Sequence, residues 1–256
     1  MILFLGCSNT YGQGLVVEKW VSEGKSVDFI NNSISPGFST ENMNWDDDEY
    51  RRKYHYPNLV AKHFNKAYGY KLGNGGSIND MIFELENYHR FMNMNGLEAV
   101  VIQFTDIQRN ADFMDLVQYS KFDNDKINAN IISTVSKIER FCQMIRKNNP
   151  LSFKRNETII EAPIPWFGFS WAEDIAEVLK EHFSDNFVPL IYKGKEYDCM
   201  RPLIDLDDLC IWNKVYDTHP NVKEGHPSST FHKVMADSVI RKMEQANIDW
   251  ERYPCE

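Results

Sequence analysis

The segment Gly6-Cys7-Ser8-Asn9-Thr10-Tyr11-Gly12-Gln13-Gly14 places a small hydroxyl residue directly after an apolar run, Met1 to Leu5. A serine displayed at such a strand-to-helix turn can attack a carbonyl if a base takes its proton and backbone N–H groups hold the oxyanion. The same serine also suits a helix cap or a plain turn. A base of the right type stands near the other end of the chain, in Gly225-His226-Pro227-Ser228-Ser229-Thr230. Pro227 restricts the backbone beside His226, and the hydroxyl residues offer caps to a following helix, which together would hold an imidazole still. A surface loop histidine is the plainer reading of the same residues. An imidazole base must be neutral to accept a serine proton, so the activity of such a pair falls in acid.

Three short motifs occur in order along the chain: Gly6-Cys7-Ser8, then Gly76-Ser77 with Asn79 and Asp80, then His226-Pro227 with His232 and Ala236. This set resembles the SGNH (GDSL-type) hydrolase family, in the branch whose first motif reads G-C-S in place of G-D-S, and the resemblance spans nearly the whole chain. It implies an α/β fold with three α/β/α layers and esterase chemistry, with Ser8 as nucleophile, His226 as base, and the backbone N–H groups of Ser8 and Gly76 in the oxyanion hole. Glycine at 76 suits a backbone that must approach substrate closely. Two positions depart from the family pattern. Where the family has G-x-N-D, this chain reads Gln103-Phe104-Thr105-Asp106-Ile107-Gln108-Arg109, which leaves Thr105, Gln108, Arg109 or Asn79 to supply the missing donor. Loss of one such donor costs about 2.7 to 4 kcal/mol. The family's acid position holds Lys223, so Glu224 is the first candidate to orient His226 and Asp217 the next, unless a Ser-His dyad suffices. Gln103, Arg109 and Trp166 are the expected substrate contacts. Trp166, Phe167, Phe169 and Trp171 are expected after a fourth strand, where they would stack on a sugar, line an acyl pocket, or pack under a loop.

Other clusters have plainer readings. His219, His226 and His232 are not spaced to share a helix face and no cysteine joins them, so no metal site is expected. The Gly73 to Gly76 turn lacks the Lys-Ser or Lys-Thr ending of a P-loop, and no cofactor is expected. Asp46 to Glu49 lacks the alternation and glycine of a calcium loop and reads as a solvated acidic face.

These residues need a scaffold. Strands are expected at Met1 to Leu5, a continuous apolar run, and at Tyr68 to Leu72, Ala99 to Phe104, Thr158 to Ala162 and Met200 to Ile204. Between them, helices are expected over Gly14 to Glu23, a segment starting near Pro57, Asn79 to Met94, Ile127 to Arg146 and Trp171 to Phe183, with a last one over Ser229 to Gln245. Gly24 to Arg52 and Asp106 to Asp125 read as polar surface excursions. Steady alternation of strand and helix predicts a doubly wound, flavodoxin-like parallel sheet of about five strands, whose ligands bind beyond the carboxyl ends of the strands. No repeat or linker divides the 256 residues, so one domain over 1–256 is expected.

Composition bounds the function classes. With 28 Lys plus Arg against 37 Asp plus Glu, the net charge of -9 argues against broad electrostatic binding to nucleic acid or anionic membranes. Five scattered cysteines without a C-x-x-C pair predict no disulfide framework and a reducing, cytoplasmic setting. No apolar run approaches the roughly eighteen residues of a membrane span, and the opening residues lack the basic start of a signal peptide. The expectation is a serine esterase acting on a short acyl, acetyl-type ester of a carbohydrate or similar small polar molecule. The alternatives are a catalytically silent SGNH-like module that binds a glycan or protein, and a flavodoxin-like phosphate or nucleotide binder.

Overall fold

A computed structural model of the chain describes residues 1–34, 43–72, 97–105, 124–147, 164–222, 224–248 and 250. Its centre is a parallel four-stranded sheet in the order β2-β1-β3-β4, made of β1 (Ile2–Gly6), β2 (Tyr68–Leu72), β3 (Ala99–Phe104) and β4 (Trp166–Ser170). Every residue of β1, β3 and β4 is buried, as expected of strands covered on both faces. β1 lies inside the sheet, with Leu5 opposite Lys71 on one side and Ile102 on the other.

Because successive strand residues point to opposite faces, the apolar runs feed two cores. On one face Leu3, Leu5, Val100, Ile102 and Phe104 pack with α6 (Asn124–Lys147) and α7 (Glu173–His182) through Ile131, Val135, Ile138, Ile175 and Leu179. On the other, Ile2, Phe4, Ala99, Val101, Phe167 and Phe169 meet α5 (Tyr56–His63) and α9 (Ser229–Gln245) through Tyr56, Val60, Phe231, Met235 and Val239. The result is the three-layer α/β/α arrangement that alternation predicts.

Some elements differ from expectation. The strand beside β3 is Trp166–Ser170; the expected strand at 158–162, the helix at 79–94 and the turn at 73–77 lie outside the described residues. The expected strand at Met200 to Ile204 is instead a 3-10 turn, Arg201–Leu203, where Pro202 has no N–H to give a ladder. The place of a fifth strand is taken by isolated parallel bridges from Gly168 to Phe187 and from Ser170 to Cys199. A hairpin of β5 (Leu190–Tyr192) and β6 (Lys195–Tyr197) follows, turning at Lys193 and Gly194, both with positive φ.

The supposed excursion Gly24 to Arg52 contains two helices, α3 (Val27–Ile34) and α4 (Trp45–Tyr54). The acidic run within α4 is not simply a solvated face. Asp47 is buried, forms a capping box with Asn44, and accepts hydrogen bonds from Lys19 Nζ (2.8 Å) and Trp20 Nε1 (3.1 Å) of α2 (Gln13–Ser22). A run of charge conceals such burial because the compensating cation lies in another element. Among the described residues, no helix is long and apolar enough to cross a membrane.

Candidate active site

β1 ends at Gly6, at the carboxyl edge of the sheet. A Cβ at Gly6 would lie 2.0 Å from Thr10 Oγ1, so only glycine lets the chain fold back so tightly. Cys7 is extended and caps the short helix α1 (Ser8–Tyr11), which stops at Gly12 in the left-handed region, φ 84°. Gln103, on β3, holds this turn in place. Its Oε1 accepts from Thr10 Oγ1 (3.0 Å), Cys7 Sγ (3.3 Å) and Cys7 N (3.5 Å). From α4, Arg51 donates to the Tyr11 carbonyl at 2.8 Å and lies over the Tyr11 ring, fixing the far end of α1.

The loop carrying His226 runs between α8 (Ile211–Val215) and α9. It is held as a short antiparallel ladder: Ile211 N donates to His226 O (3.1 Å), Trp212 N to Glu224 O (3.0 Å) and Ser228 N to Leu209 O (2.8 Å). Ser228 then caps α9 by accepting from Phe231 N. On its inner side the loop presses on α2, where a Cβ at Gly14 would lie 2.4 Å from Pro227 O.

These placements bring Ser8, His226 and Glu224 into one chain of contacts. His226 Nε2 lies 2.8 Å from Ser8 Oγ. Glu224 Oε1 contacts His226 Nδ1 and accepts the His226 backbone N–H at 2.9 Å, while Glu224 Oε2 accepts from Gln13 Nε2 at 3.2 Å. A carboxylate only accepts hydrogen bonds, so Nδ1 carries the imidazole proton and Nε2 is left with its lone pair toward the serine hydroxyl. Burial works to raise the Glu224 carboxyl, but the hydrogen bond and charge of the His226 side chain, the His226 N–H and the Gln13 amide outweigh it and hold the carboxyl below its ordinary range. Ser8 is 4% exposed, and the His226 side chain is 25% exposed, so solvent reaches the pair from one side.

The remaining expected site residues divide. Gly76, Asn79, Gln108, Arg109 and Lys223 lie outside the described residues. Thr105 follows β3 at the same sheet edge and is buried. Asp217 is exposed beyond α8, and the imidazole Nδ1 faces Glu224 instead. Two expected substrate contacts are corrected. Gln103 is fully buried and its carbonyl serves the Ser8 turn. Trp166 begins β4 opposite Val100, so it lies buried at the amino end of the sheet, away from Ser8. Phe167 and Phe169 are strand residues whose side chains are buried in the core. Two residues near the site escaped notice in the sequence. Gln13 has no motif to mark it, and Trp212, 41% exposed, lies against Gly225 between Glu224 and His226, its Cζ3 3.7 Å from where a Cβ there would stand.

No family model and no curated protein sequence matches the chain. Solved structures similar to it at low identity include the following three. One is a carbohydrate esterase with divergent catalytic and non-catalytic binding functions at its active site, 16% identical over 97% of this chain and 66% of its own, with TM-score 0.48. Another is a carbohydrate esterase family 2 enzyme with a carbohydrate-binding domain from Corynascus thermopiles (Myceliophthora fergusii), 15% identical over 95% of this chain and 66% of its own, with TM-score 0.47. The third is an extracellular lipase from Streptomyces rimosus, 14% identical over 96% of this chain and 99% of its own, with TM-score 0.39. The chain thus spans about two thirds of the length of the two carbohydrate esterases. Likeness at this level assigns no activity, so function must be read from the site itself.

Proposed function

We propose that the protein is a serine esterase in which Ser8 is the nucleophile, His226 the general base and Glu224 the acid that orients it. The observation that carries this reading is the 2.8 Å contact between Ser8 Oγ and His226 Nε2, with a carboxylate on the opposite ring nitrogen. In the first half-reaction Ser8 Oγ attacks the ester carbonyl carbon as its proton passes to Nε2. The tetrahedral intermediate then expels the alcohol, which takes that proton from the imidazolium, and leaves an acyl-serine. Water repeats the sequence, giving its proton to His226 and releasing the carboxylic acid. Glu224 stays ionised throughout, steadying the imidazolium. The Ser8 N–H opens α1 and has no intrahelical acceptor, which suits it to the oxyanion; the family resemblance adds the Gly76 N–H, and Thr105, Gln108, Arg109 or Asn79 would stand in for the family's missing asparagine.

The substrate we favour is a short acyl ester of a carbohydrate or similar polar molecule. An exposed Trp212 beside the acid–base loop supports it, because an aromatic face next to polar groups suits a ring that is apolar on its faces and hydroxylated at its edge. Fluorophosphonate labelling and p-nitrophenyl acetate hydrolysis test the chemistry. Wild type should label and turn over, and Ser8→Ala and His226→Ala, matched to it by circular dichroism, should each lose about a thousandfold or more in kcat. A silent binding module would leave wild type unlabelled, and undiminished hydrolysis by Ser8→Ala would overturn the assignment.

A further inference from the structure

We infer that Gln13 is a positioning residue of this site: its side-chain amide clamps the outer oxygen of Glu224, so that the inner oxygen stays aimed at the His226 ring. This rests on the esterase reading above. The carboxylate of Glu224 is nearly fully buried, and both its oxygens are accounted for. Oε1 serves the ring and backbone of His226, and Oε2 receives Gln13 Nε2. Without the amide, a buried oxygen would lose its donor, and the carboxyl could satisfy it only by turning away from the imidazole.

The position of Gln13 explains why an amide from this part of the chain can do the work. Gly12, left-handed at φ 84°, ends α1 and starts α2, so Gln13 follows the nucleophile helix by a single residue. The bare Cα of Gly14 then lets α2 close onto the His226-Pro227 backbone. One short stretch therefore locates the serine on one side and the acid on the other. A carboxylate in place of Gln13 would repel Glu224, and a lysine would compete with His226 for it, whereas an amide donates without adding charge. The other titratable groups near the Glu224–His226 pair are the Cys210 thiol, which feels the Glu224 charge but donates to the Gly225 carbonyl at 3.3 Å, and His232 on α9, coupled to His226 and kept neutral down to about pH 3 by burial, Arg51 and the charge of His226. Neither offers Glu224 Oε2 a hydrogen bond.

Two variants and two readouts test the clamp. Gln13→Met keeps the length and removes the donor; Gln13→Glu keeps the length and donates only when its carboxyl is protonated. With folding verified by circular dichroism and thermal melting, Gln13→Met should lower kcat for p-nitrophenyl acetate about tenfold to a hundredfold with little change in KM. Relative to wild type at the same pH, Gln13→Glu should be most impaired where its carboxyl is ionised and least impaired where it is protonated, because the introduced carboxyl restores the bond once it takes up a proton. The second readout is independent of turnover: a downfield NMR signal from the His226 Nδ1 proton is expected in wild type and should broaden or vanish in Gln13→Met. If that signal persists unchanged, and the pH–rate profiles of both variants match wild type, the clamp is wrong. A wild type that neither labels with fluorophosphonate nor hydrolyses ester, yet loses the signal on Gln13→Met, would instead sink the esterase reading and leave the clamp standing.

Discussion

Glu224 reaches His226 from two positions earlier, close enough for one carboxylate oxygen to accept both the ring and the backbone N–H of the same histidine. At this scale the sequence was legible where a residue's role is local. Ser8 follows an apolar run and precedes a glycine-rich turn, and His226 precedes a proline and a set of caps. Gln13 was not legible, because its partner lies at the other end of the chain and a lone glutamine opening a helix has no signature. Two other buried histidines govern acid stability. His232 Nδ1 accepts the Tyr56 backbone N–H at 3.3 Å, and burial, with Arg51 and His226, lowers its pKa to about 3. Burial, then Arg51, His232 and Arg52, lowers that of His55 to about 2. The unfolded chain binds protons on both below about pH 6.5 while the folded chain does not, so their stabilisation is complete above that pH and drains away as the pH falls toward these lower values. Between pH 6.5 and about pH 5 each histidine should remove about 2 kcal/mol. Urea titrations at several pH values should show a shallower slope for His232→Phe than for wild type; equal slopes would refute the account.

Elements were readable where their apolar residues repeat cleanly. β3 and α9 occupy the spans expected of them because a largely apolar run and fourfold-spaced large side chains leave little choice of period, and β2 does so although Tyr68-Gly69-Tyr70-Lys71-Leu72 carries a weaker pattern. α4 was missed because its stability comes from a capping box and from a charge pair that crosses to α2, α3 because its short apolar face, Val27, Ile30 and Ile34, is embedded in a polar stretch, and β5 and β6 because strands of three residues carry too little pattern. The contact between α2 and the His226 loop also belongs to this scale. Gly14→Ala would force a methyl group to within 2.4 Å of the Pro227 carbonyl oxygen, backbone that cannot simply rotate aside. The variant should lose about 1 to 3 kcal/mol in urea titration, as overpacking does, and, on the proposed function, its hydrolysis of p-nitrophenyl acetate should fall further than that loss of folded protein explains. Normal stability with normal turnover would show that the loop has room.

For the molecule as a whole, strand and helix alternate along the chain, and that alone pointed to a parallel sheet covered on both faces. Strand order was not accessible, since no local pattern says that β1 sits between β2 and β3. That interior seat has a consequence for how the two halves of the site persist in time. The amides of Leu3 to Leu5 lie in a strand flanked on both sides and wholly buried, so deuterium should enter there only when the entire molecule opens. The Ile211 and Trp212 amides, which tether the imidazole loop at the surface, should exchange through smaller and more frequent excursions. Mass spectrometry of labelled peptides should therefore find the serine anchored to the slowest clock in the protein and the histidine to a faster one, so that on gentle warming the imidazole departs while the hydroxyl is still in place.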